Sequence, residues 1–355
     1  MVGSARACAS RGKIQAQQPR RGCSCFMFGN GVLLNGSILI TGANGFLGQT
    51  ILPQLQAEGL SVLATDLGDV CSVLNIPYRK ADIAKPVEIK PILEKITTVI
   101  HVAGLAHVFN SAENTGEKFH RINEIGTENV AAAAAAAGVR HFVLISSVSV
   151  YGPYTDEAYD EKRSCKPVGP YAQSKYNAEL RATEIAQKSG MALTIFRLAT
   201  LYGEGDPGNV GRLIRAIDRG RFFWVGNGSN RKSLLYKGDA ARAVMAVIQR
   251  PASGVNIFNI SAPSCTMREI VDGIGDALGK NPFPLYVPAS MALLLGRCLS
   301  KMPNRRLAGI NQIVKKWLAD DVYDARRFQE AYGFQTKTSL QDGLKREVDW
   351  YKNNK

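Results

Sequence analysis

The sequence predicts an α/β fold: a doubly wound parallel sheet followed by a smaller C-terminal α/β lobe. Two observations carry the prediction. The apolar run Ser37-Ile38-Leu39-Ile40 breaks directly into Thr41-Gly-Ala-Asn-Gly-Phe-Leu-Gly48, the pattern of a strand turning through glycines into a helix. Four further apolar runs follow, separated by helical stretches, in the alternation that builds a parallel sheet.

Gly42, Gly45 and Gly48 let the backbone approach a pyrophosphate, and the helix they open offers free N–H groups and the positive end of its dipole. Asn44, Phe46 and Leu47 belong to the same turn. The helix runs from Phe46 to Gln56 on a stripe of Phe46, Leu47, Ile51, Leu52 and Leu55, with Gly59 as its C-cap and Pro53 expected to bend it. Leu60 to Thr65 is the second strand. It ends at Asp66, 18 residues past Gly48, where a dinucleotide fold places a carboxylate on the adenosine ribose hydroxyls. A carboxylate there repels a 2′-phosphate and no Arg follows it, which selects NAD over NADP; the blander reading is a solvated Asp at a strand end. Tyr78 to Ile83 is a third strand and turn, with Asp82 and Ile83 placed to touch the adenine. Thr97 to Val102 is the fourth strand, and the small residues Ala103 and Gly104 at its end leave room for a cofactor. A helix over about 115–138 contains the run Ala131 to Ala137 and is closed by Gly138. The run has high helix propensity, and it also offers a smooth face to another helix, including one across a dimer. His141 to Ile145 is the fifth strand and runs into Ser146-Ser147-Val148-Ser149-Val150-Tyr151-Gly152.

Pro170 marks a helix start, which puts Tyr171 and Lys175 one turn apart on one helix face. Taking a hydride from a carbinol requires its hydroxyl proton to leave. A tyrosine can accept it, but with a reference pKa of about 10 its ionisation near pH 7 costs roughly 4 kcal/mol. A lysine ammonium about 6 Å away offsets on the order of 2–3 kcal/mol at an effective dielectric near 20. A serine at a neighbouring strand end orients the same hydroxyl. Alone, Tyr-x-x-x-Lys is a common surface pair. Following a glycine turn, Asp66 and a serine strand end, it reads as a hydride-transfer site.

Composition bounds the alternatives. With 355 residues, 45% hydrophobic and 21% charged, the chain has ample core for a sheet and a lobe. The net charge is +14, from 44 basic and 30 acidic residues, yet no Lys/Arg stripe is interleaved with aromatics, which argues against nucleic acid. The seven cysteines are scattered and never paired as C-x-x-C, so reduced thiols in a reducing compartment, the cytoplasm, are expected. The four histidines show no metal-ligand spacing, and no run of 18 apolar residues promises a spanning helix. Residues 1–36 carry Arg6, Arg11, Lys13, Arg20 and Arg21 and no acid. A transit peptide would look so; few serines and no amphipathic pattern favour a disordered extension. The expected organisation is this extension at 1–36, a cofactor domain at 37–203 completed from within about 232–262, and a substrate lobe over most of 204–355.

With these motifs assembled, the chain resembles the extended short-chain dehydrogenase/reductases, in their nucleotide-sugar epimerase/dehydratase branch, over about residues 37–350. The resemblance rests on the glycine turn, Asp66, Asp82-Ile83, His101-Val-Ala-Gly104, Asn123 with Gly126-Thr127, Ser146-Ser147, Val150-Tyr151-Gly152 and Tyr171-x-x-x-Lys175. Arg197-Leu-Ala-Thr-Leu-Tyr-Gly203 and Asn230-Arg231-Lys-Ser-Leu-Leu-Tyr-Lys-Gly-Asp239 extend it. It implies a Rossmann-type domain holding NAD, with Tyr171 as base, Lys175 as its modulator and ribose ligand, and Ser147 as the orienting hydroxyl, ahead of Ser146 and Ser149. It also implies Thr200 and Arg231 at the substrate, Arg231 on a nucleotide diphosphate, and a homodimer.

Departures from the family pattern narrow the reaction. Dehydratases of this branch carry an Asp or Glu beside the catalytic Ser or Thr. Here Val148 and Ser149 follow Ser147, with no acid until Asp156, which argues against dehydration. Leu198 replaces the usual Pro, Thr200 the usual Asn and Lys232 the usual Asp. What remains is C4 epimerisation, 4-keto reduction or simple alcohol oxidation. Asp66 fits an enzyme that retains NAD, so a UDP-hexose 4-epimerase is expected. The alternatives are a 4-keto-sugar reductase, a hydroxysteroid-type alcohol dehydrogenase lacking a diphosphate arginine, and a non-catalytic NAD-binding subunit, although such subunits usually lose the Tyr or Lys present here.

In the lobe, Glu204 to Gly208 is a turn and Asn209 to Gly220 a basic helix whose Arg212, Arg215 and Arg219 are expected on a solvated face, with one of them facing a diphosphate as the alternative. Gly254 to Ile260 reads as a late strand and 267–279 as a helix. Pro288 to Leu299 is apolar (Met291, Leu293, Leu294, Leu295) and is followed by Arg305, Arg306, Lys315 and Lys316. A buried lobe helix with a basic rim is expected, with an amphipathic membrane-surface element as the alternative. Asp321 to Tyr332 and Ser339 to Tyr351 close the chain as helices.

Overall fold

The computed structural model describes residues 36–106, 115–155, 157–281, 285–300 and 310–355, without the Ile310 side chain. The expectations placed on residues 1–35, Cys8, Cys23, Cys25, His107, Asp156, Arg305 and Arg306 lie outside these residues.

In chain order the first half contains β1 (Ser37–Thr41), α1 (Gly48–Ala57), β2 (Val62–Asp66), β3 (Tyr78–Lys80), α2 (Pro86–Ile89), β4 (Ile96–His101), α3 (Thr115–Phe119), α4 (Gly126–Ala136), β5 (His141–Ser147), α5 (Pro170–Ser189) and β6 (Ala192–Leu198). The second half contains β7 (Thr200–Tyr202), α6 (Asn209–Asp218), β8 (Trp224–Val225), β9 (Arg231–Lys232), β10 (Leu234–Tyr236), α7 (Lys237–Gln249), β11 (Val255–Ile260), β12 (Cys265–Thr266) and α8 (Met267–Leu278). It closes with β13 (Tyr286–Val287), α9 (Ala289–Ser300), α10 (Ile310–Leu318), α11 (Arg326–Tyr332) and α12 (Leu340–Asn353).

Seven strands pair in the order β11-β6-β5-β4-β1-β2-β3, all parallel. Both faces are buried, as a parallel sheet requires. Alternate side chains divide between them: Ile38, Ile40, Val143 and Ile145 join one core with Ile51 and Leu55 of α1 and Val244 and Ile248 of α7. Leu39, Phe142 and Leu144 join the other, with Val130 and Ala134 of α4 and Ala182 of α5. The alanine run thus places Ala131 and Ala134 in the core and leaves Ala132 and Ala136 in solvent. The sheet takes its last strand, β11, and its covering helix α7 from residues 237–260. It also takes α11, whose Phe328 packs edge-on against Phe196 at 5.2 Å and Phe258 at 5.4 Å. The lobe has its own core around Ile214, Trp224, Val271, Ile274, Leu344 and Val348.

Besides the helix expected from Asp321, which starts only at Arg326 because Asp321 and Tyr323 form bridges to Lys232 and Tyr159, two elements differ from expectation. The helix at 115–138 is interrupted: between α3 and α4, His120–Ile125 is π-helical. Its extra residue per turn turns Asn123 toward Leu105, to which it is bound at both the backbone N–H (2.7 Å) and the carbonyl (3.0 Å). The second difference is α9, whose large apolar side chains Met291, Leu294 and Leu295 are exposed. The expected buried lobe helix is therefore not formed. Its inward face carries only Ala292 and Gly296 among its buried residues. Among the described residues no helix is long and apolar enough to cross a membrane.

Candidate active site

A cleft of about 730 Å³ opens at the C-terminal ends of β1, β2, β4, β5 and β6 and is closed on one side by the lobe. Of the residues singled out in the sequence, it is lined by Gly42, Asn44, Gly45, Phe46, Leu47, Asp66, Asp82, Ile83, Ala103, Ser147, Tyr171, Lys175 and Thr200. Gly48 lies beneath the turn. Arg231 is not brought to the lining.

The turn is built by backbone proximity. Gly42 has φ +70°, and a Cβ there would lie 2.6 Å from the Ala103 nitrogen; one on Gly48 would lie 2.2 Å from the Gly42 oxygen. Only glycine closes this cradle. Asp66 pins it from the side: Oδ2 accepts the Asn44 N–H at 2.9 Å and Oδ1 the Leu67 N–H at 2.7 Å. The Asn44 side chain in turn donates to the Val70 carbonyl and accepts from Ser72.

Behind the cleft floor runs a buried chain of hydroxyls. Thr127 Oγ1 donates to the Asn123 carbonyl at 2.6 Å, so it accepts from His101 Nε2; His101 Nδ1 then accepts from Thr41 Oγ1 at 2.8 Å. Burial, reinforced by the Lys175 charge, pushes the imidazole down to about 3 and keeps it neutral.

Tyr171 and Lys175 sit on the first turns of α5. Lys175 Nζ donates to the Ile145 carbonyl at 2.6 Å, and burial pushes it down to about 8, with Glu179 one turn further pulling the other way. Burial raises Tyr171 above its usual value, and the group that pulls it down is Ser147, to which it hydrogen-bonds. Ser146 is consumed structurally, hydrogen-bonded to Glu179, which also holds Arg197 through both oxygens at 2.7–3.2 Å. Arg197 continues to Tyr151, and Tyr151 to Asn259. This buried network fixes β5, β6 and α5 relative to one another.

The lobe supplies residues that no local motif announced. Asp206, Asn209, Lys316, Asp321 and Tyr323 line the cleft. Asp206 accepts the Gly208 and Gly211 N–H groups at 2.6 and 2.9 Å, satisfying the start of α6. Arg212, Arg215 and Arg219 of that helix do not reach the lining. Glu347, from α12, accepts the Gly203 N–H at 2.9 Å, while its Oε1 is buried without a partner among the described residues. Burial and the nearby Asp206 charge push this carboxyl up to about 9. Arg231 is exposed and donates to the Ser264 hydroxyl and carbonyl, at 2.8–3.1 Å. Its neighbour Lys232 is buried and caps α10 through the Lys316 and Ala319 carbonyls.

Residues 38–261 match the profile of the family described as NAD dependent epimerase/dehydratase. The chain belongs to that family. Similar curated proteins include the N-acetyl-alpha-D-glucosaminyl-diphospho-ditrans,octacis-undecaprenol 4-epimerase of Escherichia coli O157:H7, 28% identical over 323 residues, covering 89% of this chain and 96% of that protein. The UDP-glucose 4-epimerase of Vibrio cholerae is 26% identical over 315 residues, covering 87% and 93%. Among solved structures, MoeE5 in complex with UDP-glucose and NAD aligns with a TM-score of 0.72 at 26% identity, over 90% of this chain and 99% of that one. As an epimerase/dehydratase family member of the extended short-chain dehydrogenase/reductase type, the chain is an NAD-dependent enzyme.

The cleft suits the family's dinucleotide. The cradle at Gly42 and Gly48 admits no side chain, and two buried hydroxyls that line the cleft, Thr65 Oγ1 and Ser149 Oγ, have no partner. An orphaned polar atom beside a cleft calls for a partner that the described residues do not supply, and a bound ligand or water is such a partner. Ser149, ranked behind Ser147 in the sequence, is thus a free hydroxyl beside it.

Proposed function

We propose that this protein is an NAD-dependent 4-epimerase of a diphosphate-linked hexose, UDP-hexose in the first instance. One observation carries the reading. Ser147, Tyr171 and Lys175 line the same cleft as Gly42, Gly45 and Asp66, and in the sequence no carboxylate follows Ser147 before Asp156 to drive dehydration. In this reading the Ser147 hydroxyl orients the C4 oxygen. Tyr171 takes the C4 hydroxyl proton as the carbinol is oxidised and returns it as the carbonyl is reduced. Lys175 keeps its ammonium at pH 7 and fixes the ribose and the charge beside Tyr171. NAD, when bound, supplies the hydride acceptor and donor. Gly42, Asn44, Gly45, Phe46, Leu47 and Gly48 hold its diphosphate, Asp66 the adenosine ribose, Asp82 and Ile83 the adenine, and Ala103 leaves room beside it. Asp66 also disfavours a 2′-phosphate, which supports NAD over NADP. Thr200 lies on the substrate side. The free thiols Cys71, Cys165, Cys265 and Cys298 support a reducing, cytoplasmic setting, and the solvent-facing Ala132 and Ala136 support a close helix contact in a homodimer.

A second reading of the carrier rests on Arg231, which engages Ser264 outside the lining while Lys316 enters it. A hexose on a polyprenyl diphosphate needs a cation at the diphosphate but no nucleotide-binding arginine, and the Escherichia coli relative is named for such a substrate. Incubation with UDP-hexoses and with a polyprenyl-diphospho-hexose, without added cofactor, tests both. Interconversion at C4 with no net change of released NAD is expected, and Tyr171→Phe should lower turnover at least about a thousandfold while NAD is retained. Stoichiometric consumption of a reduced cofactor, or turnover unchanged in Tyr171→Phe, refutes the epimerase reading.

A further inference from the structure

The lobe turns an apolar face outward. Along α9, Met291, Leu294, Leu295 and Cys298 fall at i, i+3, i+4 and i+7 and are all exposed, Leu294 at 60% and Leu295 at 51%. The inward face is made of small residues. A Cβ on Gly296 would lie 3.2 Å from the Asn311 Cα, so α9 docks closely on α10 by its small side and leaves its large side in solvent. A helix that serves only the lobe core does the reverse. Exposed apolar side chains also stand on the adjoining segments: Leu285 and Tyr286 just before α9, and Ile313, 68% exposed, on α10. Single exposed apolar residues need no account, but a stripe of large ones on consecutive elements marks a contact surface.

The charge around this face selects its occupant. From residue 277 to residue 319 the chain carries seven Lys and Arg and no Asp or Glu. Lys280, at one end, is neutralised by Asp218. Arg297, Lys315 and Lys316 are exposed and form no ion pair among the described residues. A second copy meeting this face across a two-fold axis would set positive rim against positive rim. Residues 1–36 bring five further cations and no acid, and meet the same repulsion. An anionic bilayer matches both features, with the apolar stripe entering the acyl boundary and the cations facing lipid phosphates. The surface is also continuous with the cleft, because Lys316 of α10 lines it.

We propose that the protein docks on an anionic bilayer through the exposed faces of α9 and α10. The proposal concerns this surface alone and stands independently of the sugar the cleft accepts. The full-length chain is sedimented with phosphatidylcholine vesicles and with vesicles that also contain phosphatidylglycerol. Binding to the phosphatidylglycerol vesicles is expected, weakening as salt is raised. The double variant Leu294→Ser/Leu295→Ser should lose on the order of tenfold or more in partitioning, since two leucines no longer enter the acyl boundary. Arg297→Gln/Lys315→Gln tests the same surface without touching an apolar residue, and should remove most of the preference for phosphatidylglycerol. No vesicle binding, or binding unchanged in both variants, overturns the proposal. So does an analytical sedimentation result in which the leucine variant dissociates an oligomer while its vesicle binding is unaltered, for the face would then be a contact between copies.

Discussion

Glu347 should make the protein less stable as pH rises, and its amide should remove the effect. The carboxyl accepts the Gly203 N–H across 144 residues of chain, and its other oxygen is buried without a partner. Burial first, then the charge of Asp206, raises it from 4.5 to about 9. The unfolded chain ionises near 4.5, so the native state holds a proton that the unfolded state has released. The stabilisation is therefore fully present below 4.5 and is lost as pH rises towards 9. At about 1.4 kcal/mol per pH unit, the loss at pH 7 is about 3 kcal/mol. Glu347→Gln keeps an acceptor for the Gly203 N–H and cannot ionise. It should match the parent near pH 4.5 and exceed its stability by about 3 kcal/mol at pH 7. Urea unfolding at the two pH values reads the difference directly; in thermal unfolding it is a rise of roughly 4–5 °C for a chain of this length. A parent–variant difference independent of pH would refute a neutral buried carboxyl at this position.

Two further expectations follow from the same geometry. Gly48→Ala places a Cβ 2.2 Å from the Gly42 oxygen and 2.7 Å from the Ala43 oxygen, both backbone. It should destabilise the chain by about 1–3 kcal/mol and abolish retention of NAD, checked by denaturant unfolding and by chromatography of released cofactor. His101, pushed down to about 3, should remain neutral. Its imidazole resonances should stay flat from pH 8 to pH 5, whereas a midpoint inside that window would show that the Thr41–His101–Thr127 chain is not closed. Because the unfolded imidazole takes a proton below 6.5 and the native one does not, this group also lowers stability as pH falls from 6.5 towards 3.

The central strands β1, β2, β4 and β5 were legible because each is an apolar run ended by a turn residue, and because strands buried on both faces tolerate little else; β3, Tyr78-Arg79-Lys80 at the exposed edge, lacks that pattern. The glycine turn, Asp66 and the Tyr171–Lys175 pair were legible for a different reason: each is a local pattern whose geometry the backbone enforces within a few residues. The π-helical turn at His120–Ile125 has no such local sign, since its cause is the tertiary hold of Asn123 on Leu105. Glu347 and Lys316 reach the cleft region only through the packing of the lobe, far along the chain from the motifs. The outward stripe of α9 shows the limit of periodicity: Met291, Leu294 and Leu295 define an apolar face, but the pattern does not say which way it turns. That is decided by Gly296, whose close contact with Asn311 draws the small side inward.

The order of the sheet also governs how the chain is made. Strand β6 lies beside β5 early, but its other neighbour, β11, begins only at Val255, after β7, the α6 segment and α7 have been synthesised. At about 5–20 residues per second, the interval between Leu198 and Val255 lasts roughly 3–11 s. Throughout it, a nascent β6 edge offers unpaired N–H and C=O groups, and Phe196 lacks its covering partners Phe258 and Phe328. An open apolar edge at the ribosome is a substrate for chaperones or for aggregation. A slower, cooler expression with ample chaperone should therefore raise the share of chains that reach the folded state.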